Sequence, residues 1–454
     1  MTSGIPQDFG DWISPILVKE LRQGLRTRVF TVAFIAMQAV LLLFMLAGLR
    51  EDADAEFVTG AFWFLLFLVM VIITPLRGLN TLSSEVKQNT LELLSLTRLD
   101  ALRICFGKWA ALFAQALLFT IAVLPYVVLR YFAGGIDLFQ ELSLLGSSLA
   151  ASAVLCAFSI ALSSLASAVA RSFFVVCLVI FLSMSGPIWF ARGFLPGGSP
   201  SFMNGWGWVV ILLLAAYLTF FSISTAASRI AAPAENYSTL RRLVGLAAIA
   251  LSLLIGFTRT GEFLPLAYGL SALLALDALT ERSSDLPAVH GPFLRWGLAG
   301  RLPQFLLTPG WQSGGPLVSL VIAILAATII GMGSSAYPLQ VVSVHLSLGG
   351  LVLLPVLVTE LFLSEMRDRL TPYFFLQAAQ FALGGFFLLL GKGGKSEGFL
   401  WVGSVLPTTS VFMASDSEYR DSPYLVAGSG VSFLAIAVAL ILISRGYWEK
   451  VKGH

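Results

Sequence analysis

Charge-free apolar runs separated by short polar joints set the plan of this chain. They fall at 29–49, 57–76, 109–129, 142–170, 172–191, 206–228, 243–258, 263–280, 315–335, 339–359, 370–391 and 422–444. A helix needs about 20 apolar residues to cross the hydrocarbon core of a bilayer, and most of these runs reach that length. The pattern predicts an all-α polytopic membrane protein of about 12 transmembrane helices in two six-span halves, 29–230 and 231–454. The short pair 243–258 and 263–280, joined by Thr258-Arg259-Thr260-Gly261-Glu262, reads as two tilted spans or as a re-entrant hairpin. A further apolar passage at 399–415 is short and broken by Gly403 and Pro407. It is expected as a re-entrant or interfacial segment on the outer side.

Two stretches have a different period. Over Asp11–Arg28, Trp12, Ile13, Ile16, Leu17, Leu21 and Leu25 recur every three or four residues, while Lys19, Glu20, Arg22, Gln23 and Arg26 take the other face. That spacing predicts an amphipathic helix within 1–28, with Pro15 tolerated in its first turn. A Trp-bearing apolar face and a basic polar face suit a helix lying in the membrane interface. A solvated helix packed on a partner is the alternative. The second stretch runs from Ser83 to Lys108 and is a rare long polar-amphipathic passage between spans. Leu91, Leu94 and Leu96 form a small apolar knob flanked by Thr90, Glu92 and Ser95. Such a knob on a polar loop fits a groove on a soluble partner, or the membrane surface itself.

Composition narrows the class. The 454 residues are 57% hydrophobic and 12% charged, about half the charge of a soluble chain. The mean hydropathy is +0.87. The net charge of +3 says little, but its placement orients the chain. With the N-terminus in the cytoplasm and twelve crossings, Arg50, Arg130, Arg192, Arg259, Lys392, Lys395 and Arg420 fall outside. The other 21 of the 28 basic residues fall inside, as the positive-inside rule requires. Both termini are then cytoplasmic, as are the segment 80–108 and the Pro- and Gly-rich linker 281–316. The first 25 residues lack the pattern of a removable signal peptide, so the expected location is the inner (cytoplasmic) membrane.

One motif is specific. Glu85-x-x-x-x-Thr90-Leu91-Glu92-Leu93-Leu94, then Thr97-x-Leu99, then Gly107-Lys108 at the foot of the next span, resembles the permease subunits of type-2 ABC exporters, the ABC-2 family. That family carries a Glu–Arg pair, a Gly-Thr-Leu-(Glu/Asp)-Leu-Leu block, a Thr-Pro-Leu-Ser turn and a Gly-Lys pair between its second and third spans. Pro15-Ile16-Leu17-Val18-Lys19-Glu20-Leu21-Arg22 resembles its N-terminal helix. This chain has Val86 in place of Arg, Asn89 in place of Gly, and Arg98-Leu99-Asp100 in place of Pro-Leu-Ser. Asn tolerates the left-handed conformation, and Asp100 caps a helix as Ser would. The resemblance implies that the N-terminal helix is the connecting (elbow) helix and that Thr90–Leu96 is the coupling helix docking an ABC ATPase subunit. It covers 12–228; beyond that only the span plan is shared.

Other chemistry is sparse. No Walker A loop is present, since Gly394-Lys395-Ser396 has Leu389 where the leading Gly belongs. ATP hydrolysis is therefore expected on a partner chain, and no catalytic residue, metal, cofactor or nucleic-acid partner is expected. His290, His345 and His454 have no ligand partner at helical spacing; His345 is expected to be hydrogen-bonded between helices. Cys105, Cys156 and Cys177 read as packing residues. Asp277 and Glu360 are expected near inner span ends, paired with Arg282 and with Arg367 or Arg369. Span interiors without carboxylate pairs or Arg clusters count against an ion-coupled carrier. A secondary carrier and a membrane scaffold remain the alternatives to a permease. A single Thr-Leu-Glu-Leu-Leu block further implies pairing with a second permease copy or paralogue, because two ATPases need two coupling helices.

Overall fold

The computed structural model describes residues 15–48, 55–83, 100–133, 137–165, 171–172, 175–176, 206–231, 235–258, 264–332, 338–364, 366, 369–394, 403–415 and 423–452. Among these, helix is the only regular structure, and nine helices are long and apolar enough to cross a membrane. The protein is a multi-pass membrane protein, all-helical among its described residues. Its large exposed side chains agree: Val32, Ile35, Leu42 and Leu43 on one helix alone are more than half exposed. Water would not tolerate such a contiguous apolar surface, whereas lipid covers it. The expected span at 172–191 lies almost wholly outside the described residues. The chain divides into two compact units, Met1–Ala231 and Ala232–His454.

The first unit begins with α1 (Pro15–Leu25) and α2 (Arg28–Gly48). The break between them is a cap: Phe30 N–H donates to Thr27 Oγ1 at 3.4 Å, and that hydroxyl donates to Gly24 O at 2.7 Å. α3 (Ala55–Phe67) continues through a π-helical turn, Leu68–Ile73, and a tighter turn, Arg77–Asn80. The ladder change has a chemical cause. Pro75 has no N–H to donate, and just ahead of it Val69 O takes a bond from the Thr74 hydroxyl at 2.8 Å. α4 (Ala101–Ala133), α5 (Leu138–Ser163) and α6 (Trp206–Ile230) complete the unit. Its core joins Met37 and Leu41 of α2, Phe62, Leu66 and Met70 of the second span, and Phe119 and Val123 of α4.

The second unit holds α7 (Ser238–Thr258) and α8 (Leu264–Thr280), then two short helices, α9 (Pro287–Leu294) and α10 (Leu298–Leu307). α11 (Trp311–Gly331), α12 (Pro338–Phe362), α13 (Leu370–Gly394), α14 (Pro407–Ser415) and α15 (Pro423–Lys452) follow. α7 and α8 are separate helices, and α8, at 17 residues, is the shorter. Trp311, Val318, Leu353, Tyr373 and Ile436 centre the core.

The described part of the 399–415 passage ends in α14, nine residues long and too short to cross. It is buried among the long helices. Ser347 Oγ donates to Ser410 Oγ at 2.8 Å and Thr408 Oγ1 to Gln380 O at 3.0 Å. Small residues make room for it: a Cβ on Gly350 would sit 3.0 Å from Pro407.

Candidate functional site

Glu85, Thr90, Leu91, Glu92, Leu93, Leu94 and Leu96 lie outside the described residues, as does Trp12. What frames them is described. The segment leaves the second span after Ser83 and re-enters helix at Ala101, where Asp100 O accepts from the amides of Arg103 and Ile104 at 3.0 and 3.2 Å. Asp100 therefore occupies the N-cap position of α4.

Both flanks of this segment are fastened to α1. On the returning side, Gly107 faces Ile16 and Leu17, so that a Cβ there would lie 3.0 Å from Ile16 Cγ2. One turn away in space, Lys108 Nζ donates to Glu20 Oε1 at 2.9 Å. The Lys108 side chain is 3% exposed and that of Glu20 19%. Helical spacing explains the set: Ile16, Leu17 and Glu20 share one face of α1, leaving Lys19 and Arg22 exposed on the other. The two sequence motifs at 15–22 and 107–108 thus meet in one contact, with glycine letting the backbones approach and a buried ion pair locking their register.

On the departing side, Arg77 reaches the C-terminal end of α1. Its guanidinium donates to Gly24 O at 3.0 Å, to Thr27 Oγ1 at 2.9 Å and to Gln115 Oε1 of α4, and lies 5.7 Å from the centroid of the Phe30 ring. Arginine suits this place because one planar fork can satisfy several acceptors. Beyond it, Leu82 N–H donates to Ser163 Oγ of α5 at 2.8 Å, and Gly78 packs directly on Ser159. The second span is thereby held to α1, α4 and α5 just before 84–99 begins. Substituting Gly107→Leu should wedge α1 from α4, at about 1–3 kcal/mol of overpacking. A lowered melting temperature in detergent, with Gly107→Ala milder, is the result to look for.

Two buried ion clusters escaped the sequence reading. At the other end of α4, Arg130 Nη1 donates to Glu141 Oε2 at 3.0 Å, and its Nη2 to Thr59 Oγ1 at 2.9 Å. The Phe62 ring lies under the same guanidinium at 4.5 Å. In the second unit, Arg241 and Arg242 are fully buried in the first turn of α7. Arg241 pairs with Asp277 at 2.6 Å and Glu281 at 2.7 Å, and Arg242 with Glu281 at 3.3 Å. Asp277 is therefore buried with Arg241, rather than wet and paired with Arg282 as expected. Glu360 does pair with Arg369. Arg242 also donates to Leu306 O at 3.1 Å, Thr308 O at 2.5 Å, Gly310 O at 3.1 Å and Ser313 Oγ at 2.8 Å. One side chain thus fastens the 281–316 linker to the span bundle. Gly310, at φ 108°, makes the turn into α11 that this requires.

His345 behaves as a helix-to-helix tie. Its Nδ1 is 2.6 Å from Val341 O, and Tyr268 Oη of α8 is 2.7 Å from Nε2. An Nδ1–H tautomer satisfies both, donating to the carbonyl and accepting from the hydroxyl. Among the described residues no group of three or more His, Cys, Asp or Glu side chains is arranged to hold a metal ion. No protein-family model, no curated protein and no solved structure matches the chain.

Proposed function

We propose that this chain is the membrane-spanning permease subunit of an ABC exporter of the ABC-2 type, moving substrate with ATP hydrolysed by a separate ATPase subunit. It resides in the cytoplasmic membrane with both termini inside and works beside a second permease, itself or a paralogue. The observation that carries this reading is the double attachment of α1 to the flanks of 84–99, by Glu20–Lys108 with Gly107 on one side and by Arg77 on the other. A segment that takes up force from a soluble motor has to be stiffly joined to the spans on both sides. Otherwise, movement of the segment is absorbed in the joints. The Thr90-Leu91-Glu92-Leu93-Leu94 block supports the same reading, because its apolar knob offers the motor a docking face.

The buried charges do not favour a carrier. Arg241, Arg242, Asp277 and Glu281 bond one another and nearby carbonyls, and Arg130 is matched by Glu141. An ion-coupled carrier holds its ion and substrate sites near the bilayer midplane, at breaks in its helices, whereas the Arg241 cluster lies at the N-terminal end of α7 and the C-terminal end of α8.

Co-purification of the full chain with its co-expressed ATPase tests the proposal. Leu91→Asp, Leu93→Asp and Leu94→Asp in combination should abolish it while the permease still inserts and elutes as a single species. Unchanged co-purification of the triple variant would remove the docking claim.

A further inference from the structure

We infer that the hairpin α9–α10, together with the C-terminal end of α15, is a binding surface for anionic lipid headgroups. The inference goes beyond the permease reading and rests only on the chain being embedded in a bilayer. A helix on a water-facing surface turns its polar side outward; α10 does the reverse. Gly300, Gln304 and Leu307 face the protein, while Leu298, Leu302 and Phe305 are 78%, 68% and 41% exposed. Their spacing of four and three residues puts them on one stripe, and Arg301 shares it. Trp296, 69% exposed, stands between the two helices beside exposed Arg295. The turn depends on Gly297, at φ 59°.

The end of α15 belongs to the same layer. The Phe305 and Trp448 rings meet in a tilted contact with centroids 5.4 Å apart, and Tyr447 Oη donates to Ser284 O at 2.9 Å. α15 has 30 residues, about 45 Å of helix against a hydrocarbon core of about 30 Å. Its last turns therefore stand out of the core, carrying exposed Arg445 and Lys450 with Glu449. No Asp or Glu occurs between Leu286 and Thr359, so the exposed charge on α9–α10 is purely basic.

Apolar side chains, Trp and Arg on one outward face at the ends of membrane spans match the headgroup boundary in each respect. There the aromatics sit at the interface, the leucines enter the acyl region and the guanidiniums meet phosphates. A soluble protein docking here would have to desolvate Arg295 and Arg301 against a matching acidic groove while covering a leucine stripe. The bilayer supplies both surfaces to a segment tethered between α8 and α11.

The test uses the full chain, its three cysteines replaced by alanine, with a fluorophore on Leu298→Cys. The protein is reconstituted in phosphatidylcholine vesicles doped with equal small fractions of brominated phosphatidylglycerol or brominated phosphatidylcholine. A second reporter, Val438→Cys on the exposed side of α15, verifies embedding. The inference predicts quenching at position 298 by both lipids, up to about 25-fold stronger for the anionic one, since each of the two arginines near such a surface contributes about fivefold. Arg295→Gln with Arg301→Gln should bring the two lipids level. No lipid quenching at 298 while 438 is quenched would overturn the bilayer contact and leave the permease reading untouched. Equal quenching by the two lipids in the unsubstituted chain would overturn the anionic preference. No quenching at 438 would overturn the embedding on which the inference rests.

Discussion

Replacing Arg242 with alanine is expected to lower the stability of the second unit by about 3–5 kcal/mol, the usual cost of removing one partner from a buried charge network. The guanidinium is fully buried and is the common donor to Leu306 O, Thr308 O, Gly310 O and Ser313 Oγ, as well as the partner of Glu281. Without it, those carbonyls and one carboxylate lose a partner at a place water reaches poorly, and each unmet group carries its own desolvation cost. The melting temperature in detergent should fall by something on the order of 10 °C. Arg242→Lys keeps the charge but has one ammonium in place of a planar fork, so it should recover only part of the loss. A melting curve unchanged by Arg242→Ala would mean that the linker is held by its other contacts, such as Thr239 to Leu307 O.

Charge reversal at either end of the Glu20–Lys108 pair should be nearly as damaging, and reversal at both ends should repair it. Lys108→Glu sets two carboxylates against each other where the lysine site is almost closed to water, a cost of roughly 2–4 kcal/mol. Glu20→Lys does the same with two ammonium groups. In the double variant the pair is restored with opposite polarity, and a coupling of about 1–3 kcal/mol is expected. The readouts are the melting temperature and the protection of α1 from protease. Additive losses in the double variant would show that each side chain acts through separate contacts. Under the proposed function, ATP-driven transport should follow the same pattern, lost in the singles and regained in the double.

The helices were legible because the apolar runs are long and their ends are marked by charge. Within the described residues, runs at 29–49, 206–228 and 315–335 became α2, α6 and α11 with ends moved by up to four residues, while the run at 109–129 became α4, which starts eight residues earlier. The same rule misplaced what charge does inside a helix. Arg241 and Arg242 read as loop residues because a span is counted from its last charge, yet they lie within α7 and are buried. Their partners are 36 to 71 residues away, and no local pattern announces a pairing at that distance. Glu20 and Lys108 were each part of a recognised motif, but the 88-residue separation hid the fact that they form one site. Arg130 and Glu141 illustrate the limit differently. Only 11 residues apart, they looked like loop charges, because the helices that bury them extend beyond the apolar runs.

The proposed function requires segment 84–99 to meet a separate ATPase. A photocrosslinking amino acid in place of Leu94, activated in cells that express the full chain and its ATPase, measures that contact at a single residue. The proposal predicts one covalent adduct with the ATPase, lost when the same group replaces exposed Lys19 on the far face of α1. Adducts with lipid alone, undiminished when the ATPase is absent, would contradict it.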